Sequence, residues 1–135
     1  MRKRVFLLPI LLVGGCGDTC QNQAIKRLKS PDGEHVAVLF QRDCGATTGL
    51  STQVSISEDG ELASGRANAF SADDNHGAAS VGPWGGPMAE IKWLGSDRLL
   101  VRYAAKSRVF KQEHEVSSIT ISYERGDPSS STTIH

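Results

Sequence analysis

The amino-acid sequence predicts an all-β domain, a small antiparallel meander of six or seven strands that forms a sandwich or an open barrel. Three observations lead to this prediction. Apolar and polar residues alternate with a period of two in several short segments, as they do in half-buried strands. Turn signals rich in Gly, Pro, Asp and Ser separate these segments. No segment after the amino-terminal apolar run has a helical period.

The first predicted strands lie on either side of a strong turn signal. Residues 24–29 form a short strand, and Ser30-Pro31-Asp32-Gly33 turns the chain, because Pro presets φ and Gly accepts a positive φ. Residues 34–41 contain consecutive apolar side chains, which indicates a central strand buried on both faces. Residues 52–57 alternate cleanly between apolar and polar, and Asp59-Gly60 then predicts a hairpin turn.

The second half of the chain is less regular at first. Residues 61–70 are predicted to return as a weaker strand, and residues 71–87 have neither period, so they form one long irregular segment. Further strands are then predicted from the alternation of apolar and polar residues. They cover Ile91 and Trp93, residues 99–103 after the Gly95-Ser96-Asp97 turn, residues 108–114, and residues 119–123.

The first fifteen residues have the features of an export signal. Arg2, Lys3 and Arg4 are followed by a short apolar run over residues 5–13, far below the roughly 20 residues that cross a bilayer as a helix. Gly14 and Gly15 before Cys16 resemble the lipobox of bacterial lipoproteins, which implies cleavage before Cys16 and diacylation of its thiol. Two or more acyl chains hold a protein on a membrane essentially permanently.

This organisation divides the chain into a signal peptide (1–15), a polar tether (16–23), an all-β domain (24–124) and a flexible tail (125–135). The resemblance to bacterial lipoproteins also implies a location. Asp directly after the lipidated cysteine is a retention signal for the inner membrane, whereas Gly17 stands at that position here. The expected location is therefore the periplasmic face of the outer membrane, if the host has two membranes.

Charge excludes one class of partner. Lys and Arg number 15, and three of them leave with the signal peptide, so 12 basic side chains remain against 15 acidic ones. Proteins that bind nucleic acid carry clustered Lys and Arg, so a mildly acidic domain is not expected to bind it. The predicted partners are instead the membrane, through the lipid anchor, and an envelope protein. No cofactor is predicted.

The cysteines predict a disulfide. If Cys16 is acylated, Cys20 and Cys44 are the two thiols that remain, and an exported domain lies in an oxidising compartment. A metal or redox pair is the alternative, but such sites normally have closer spacing or additional Cys and His ligands.

Four motifs together resemble a group of small bacterial lipoproteins of uncharacterised function, with similarity from about residue 23 to residue 123. The resemblance implies no activity. The motifs are Ser30-Pro31-Asp32-Gly33, Arg42-Asp43-Cys44-Gly45-Ala46-Thr47-Thr48-Gly49, Ser51-Thr52-Gln53-Val54-Ser55-Ile56 and Gly82-Pro83-Trp84-Gly85-Gly86-Pro87.

The segment 42–49 is a candidate anion site. Backbone N–H groups near its glycines, with the side chains of Arg42, Thr47 and Thr48, would surround a phosphate or carboxylate. In the alternative, Cys44 joins the strand to Cys20, the glycines supply positive φ, and Arg42 pairs with Asp43. The alternative is favoured because a phosphate loop normally leads into a helix, and none follows.

Two further segments carry candidate residues. Asp73, Asp74 and His76 offer oxygen and nitrogen ligands for a metal, although a solvated turn is favoured because neither the spaced calcium pattern nor a second nearby His is present. Trp84, on its Gly and Pro framework, offers the large rigid surface typical of a recognition site. The alternative is that Trp84 folds back and closes an open end of the core.

The sequence therefore favours a membrane-anchored envelope lipoprotein that binds a partner without catalysis, through residues 42–49 and 71–87. One alternative is an inhibitor-type module, as some small β lipoproteins block lysozymes with an inserted loop. The other is a hydrolase or metal-dependent enzyme that uses Asp73 or Asp74 with His76. The motifs Gly-x-Ser-x-Gly and His-Glu-x-x-His do not occur in the chain.

Overall fold

A computed structural model describes residues 20–45, 50–62 and 64–126, and within them the chain is all-β, as predicted. The strands form two sheets that are not closed into a barrel, so of the two expected forms the sandwich is confirmed. The described part of the chain contains no helix long and apolar enough to cross a membrane. The strands are β1 (Gln21–Lys29), β2 (Val36–Asp43), β3 (Leu50–Ser57), β4 (Phe70–Asp73), β5 (Ala89–Gly95), β6 (Arg98–Tyr103), β7 (Arg108–Gln112), β8 (Glu115–Val116) and β9 (Ile119–Arg125).

The first sheet has the strand order β1-β2-β3-β4-β7, and all its neighbours are antiparallel. The second sheet has the order β5-β6-β9-β8, in which β6 and β9 run parallel. Because a parallel pair needs a crossover, the chain is not a simple meander. The crossover is supplied by β7, which leaves the second sheet to pair with β4 in the first.

The β1–β2 hairpin matches the sequence prediction closely. Gly33 in the turn has a φ of 77°, and Asp32 accepts hydrogen bonds from the Ser30 hydroxyl and the Glu34 amide. The Ser30 hydroxyl, followed by the Glu34 amide, lowers the pKa of the Asp32 carboxyl. β1 begins at Gln21, so three residues that the sequence placed in the polar tether are paired with β2.

The weaker strand predicted over residues 61–70 is wrong. In the structure, only Phe70 from that segment belongs to a strand, and the preceding described residues cross the outer face of the first sheet. There Leu62 and Ala67 pack against Val38 and Phe40 of β2, in a small core separate from the main one. The physical reason is the apolar character of both faces of β2, since its outer face also needs a cover.

The main core lies between the two sheets. Phe70 is fully buried, and its ring centroid lies 5.1 Å from that of Tyr103 and 5.8 Å from that of Tyr123, which joins the two sheets through aromatic contacts. Trp93 of β5 donates a hydrogen bond of 2.9 Å from its indole nitrogen to the Leu28 carbonyl of β1. The sandwich is therefore held by apolar burial and by a hydrogen bond between its edge strands.

Candidate ligand-binding groove

One end of the first sheet is closed by the disulfide between Cys20 and Cys44, which confirms the predicted pair. The two cysteines flank the register pair of Gln21 and Asp43, so the bond follows directly on the β1–β2 ladder. We call this the disulfide end of the sheet. Thr47 and Thr48, named by the sequence as part of an anion loop, lie outside the described residues.

The strand register places a row of polar residues across the outer face at the disulfide end. Arg42 is paired with Ser51, Ser51 with Asp73, and Asp73 with Arg108. Residues paired across strands point to the same face of a sheet, and this face is the one opposite the main core. A second row, two residues further from the disulfide, contains Gln53, Ser71 and Lys111.

These two rows form the floor of an open groove of about 740 Å³, which we call the outer-face groove. One wall comes from the segment that crosses the outer face, where the Gln53 side chain accepts a hydrogen bond from the Ala67 amide next to Arg66. Phe110 borders the groove on β7, where the register between β4 and β7 shifts. The lining residues are Arg42, Cys44, Leu50, Ser51, Gln53, Arg66, Ser71, Asp73, Asp74, His76, Arg108, Phe110 and Lys111.

Arg42 is the most buried charged residue of the groove, with 8% of its surface exposed. Its Nη1 donates to the Asn22 side-chain oxygen at 3.0 Å and to the Ser64 carbonyl at 2.8 Å. The expected pairing of Arg42 with Asp43 is wrong, because adjacent residues of a strand point to opposite faces. Asp43 instead accepts a hydrogen bond from the Gly45 amide. Among the described residues, no carboxylate forms an ion pair with Arg42.

Asp73 is held by Arg108 in a two-point ion pair. Arg108 donates from Nη2 at 2.6 Å and from Nε at 3.2 Å to the two carboxylate oxygens. Partial burial alone raises the pKa of Asp73, but the hydrogen bonds from Arg108 and the Asn75 amide outweigh it and hold the pKa below its ordinary value of 3.8. The guanidinium of Arg108 also lies over the Phe110 ring, 5.2 Å from its centroid.

The ion pair makes stability depend on pH in a defined direction. A lowered pKa in the folded state stabilises the protein above the unfolded value of 3.8, and this contribution is lost as the pH falls through the lower folded value. We expect Asp73→Asn to lower the free energy of unfolding at pH 7 and to have a smaller effect at pH 3. Urea unfolding at both values measures this, and an equal effect at both would contradict the ionic role of Asp73.

The turn after β4 brings Asp74 and His76 to the rim of the groove. Asn75 and His76 both have positive φ, at 55° and 57°, and the Asn75 amide donates to Asp73. The described residues contain no group of three His, Cys, Asp or Glu side chains placed to hold a metal ion. Asp73, Asp74 and His76 all line the groove, as its cations do.

Trp84 lies outside the groove. Its indole nitrogen donates to the hydroxyl of Thr52 at 2.9 Å, and that hydroxyl donates to the Pro87 carbonyl at 2.7 Å. Thr52 faces the main core and is fully buried, so the half-buried indole of Trp84 covers the disulfide end of the sandwich interior. The geometry matches the alternative in which Trp84 folds back onto the core.

Sequence reasoning missed most of the cations in the groove. Arg66, Arg108 and Lys111 were not selected, because nothing in their local pattern differs from a solvated loop or an exposed strand face. Four of the 12 basic residues after residue 15 line the groove, compared with two of the 15 carboxylates, Asp73 and Asp74. The groove is thus locally positive, whereas residues 16–135 together carry 12 basic and 15 acidic side chains.

The side chains of Arg66 and Lys111 form no hydrogen bond or ion pair with any described residue. Together with Arg42, they provide guanidinium and ammonium donors beside the hydroxyls of Ser51 and Ser71. This donor set suits the oxygens of a phosphate or carboxylate. Neither protein families nor curated proteins nor solved structures gave a match to this chain.

Proposed function

We propose that this protein is an exported lipoprotein, anchored through Cys16, whose β-sandwich is a non-catalytic module that binds an anionic ligand in the outer-face groove. The observation that carries the proposal is Arg42, a buried guanidinium that lines the groove and has only neutral oxygens as partners in the described structure. A buried charge is costly unless an opposite charge compensates it. A phosphate or carboxylate in the groove would provide that charge.

The hydrolase hypothesis has less support from the same geometry. A general base must have a lone pair that is available near neutral pH. Asp73 has both oxygens engaged by Arg108, and its pKa is lowered, which suits a fixed ionic partner better than a proton acceptor. The inhibitor hypothesis needs a projecting loop, whereas the segment around Trp84 is bonded back to Thr52.

The groove is tested with a simple anion. In the Cys16→Ser chain, labelled with ¹⁵N and titrated with methyl phosphate, we expect amide shifts to change at Ser51, Gln53, Ser71 and Lys111. The double variant Arg66→Gln/Lys111→Gln should bind about tenfold more weakly, since each charged hydrogen bond contributes more than a neutral one.

A matched control carries the same change of charge on the second sheet. Lys92 and Arg98 are both exposed and lie on β5 and β6, away from the groove. Lys92→Gln/Arg98→Gln should leave the affinity for methyl phosphate unchanged. If the shifts are absent, or both double variants weaken binding equally, the anion-binding function is rejected.

The anchor is tested separately. Cys16→Ser removes the thiol that would be acylated, so the chain should move from the membrane fraction to the soluble fraction of the host cell. Labelling with a radioactive fatty acid should fail in the same variant. Continued membrane attachment without acyl label would contradict the lipoprotein assignment and leave the groove proposal intact.

A further inference from the structure

The disulfide connects the predicted anchor to the groove. Cys20 lies four positions after Cys16, and four residues span at most about 14 Å even when fully extended. Cys20 is bonded to Cys44, and Cys44 itself lines the outer-face groove. If Cys16 is held at the membrane surface, the disulfide end of the first sheet is therefore kept close to that surface.

The cations of the groove lie near that same end. Arg42 and Arg108 are in the row next to the end of the sheet, and Lys111 is in the row behind it. Successive residues of a strand advance by about 3.4 Å, so both rows fall within roughly 10 Å of the disulfide end. When the disulfide end rests on the membrane surface, which the short tether permits, this distance is comparable to the Debye length of about 8 Å at physiological salt, so the cations act on charges at that surface.

Carboxylates also lie at this end of the sheet. Asp73 is neutralised by Arg108, and Asp43 points to the face opposite Arg42. Asp74 is the remaining carboxylate of the groove. Its single negative charge compares with the three positive charges of Arg42, Arg66 and Lys111. Phe110, with 60% of its surface exposed, adds an aromatic ring at the edge of the same groove. Aromatic rings beside cations are typical of protein surfaces at the membrane interface.

We propose that the anionic ligand of the outer-face groove is the headgroup phosphate of an anionic phospholipid in the leaflet that holds the anchor. This inference rests on the proposed anchor at Cys16 and on the proposed anion-binding groove. Its consequence is an oriented domain, with the disulfide end on the membrane and the opposite end of the sandwich facing away.

Vesicle binding by the unlipidated Cys16→Ser chain tests the ligand. We expect it to sediment with vesicles of phosphatidylcholine that contain phosphatidylglycerol, and not with vesicles of phosphatidylcholine alone. Each basic residue near an anionic surface contributes about fivefold in affinity, so Arg66→Gln/Lys111→Gln should weaken binding by roughly 25-fold. Lys92→Gln/Arg98→Gln should change the affinity for these vesicles by less than about twofold.

The outcomes separate this inference from the proposed function. Groove shifts with methyl phosphate, without vesicle binding, would overturn the lipid ligand and keep a groove for a soluble anion. If neither the amide shifts with methyl phosphate nor the binding to anionic vesicles is observed, both proposals are overturned. Equal weakening by the two double variants would show non-specific attraction to the surface and would also overturn the lipid ligand.

The two tryptophans provide a second measurement of orientation. Trp84 lies at the disulfide end, whereas Trp93 is bonded to Leu28, near the other end of β1. In the lipidated protein on vesicles that contain brominated phosphatidylglycerol, Trp93→Phe should retain a strongly quenched signal from Trp84. Trp84→Phe should retain a weakly quenched signal from Trp93. The reverse order, or equal quenching, would overturn the orientation.

Discussion

Replacing Phe70 with alanine is expected to lower the free energy of unfolding by about 3–5 kcal/mol, because it removes a large buried ring and leaves a cavity between the sheets. Phe70 has no exposed surface, and it contacts the rings of both Tyr103 and Tyr123. These contacts join β4 of the first sheet to β6 and β9 of the second. The neighbouring rings are held by their own strands, so they cannot fully refill the space.

The matched control is the same substitution at Phe110, where 60% of the side chain is already exposed. Urea unfolding of both variants measures the difference, and Phe110→Ala should cost less than about 1 kcal/mol. A cost at Phe70 close to that at Phe110 would mean that the two sheets do not pack on this ring in solution.

Removing the disulfide is expected to cost about 3–4 kcal/mol. The bond joins residues 24 positions apart. A cross-link that closes a loop of this length lowers the entropy of the unfolded chain by a corresponding amount. For a domain of this size, Cys20→Ser/Cys44→Ser should lower the Tm by more than 10 °C.

A reductant provides the control for this experiment. The unsubstituted protein in dithiothreitol should melt near the temperature of the double variant, and the double variant should not respond to the reductant. Equal Tm values for the oxidised protein and the double variant would contradict a stabilising disulfide. Weaker binding of methyl phosphate by the double variant would in addition link the disulfide to the shape of the groove.

The sequence by itself was sufficient for the class of fold and for several of its parts. Alternation of apolar and polar residues located β3, β6 and β9, because a half-buried strand shows its two faces in its own sequence. The turn between β1 and β2 was predicted from Ser30-Pro31-Asp32-Gly33, because the conformational preferences of Pro and Gly are local properties. The Cys20–Cys44 pair followed from counting the thiols of a chain that was expected to be exported.

For residues 61–70 the sequence was not sufficient to predict the structure. Apolar and polar residues do not alternate regularly in this segment. The predicted meander nevertheless required a strand that runs back beside β3, so a weak strand was expected here. The structure uses the described part of this segment to cover the apolar outer face of β2 and to carry Arg66 to the groove. A need to cover Val38 and Phe40 is visible in the sequence, but which segment meets it is a tertiary property.

The candidate site is likewise a product of strand pairing. Arg42, Ser51, Asp73 and Arg108 are far apart in the chain and become neighbours through the register of four strands. Alternation fixes the face on which a residue lies, but it does not say which strand lies beside it. The sequence therefore determined that this protein forms β-strands joined by a disulfide. Only the tertiary structure, through the pairing of β4 with β7, decided that its scattered cations meet in one groove.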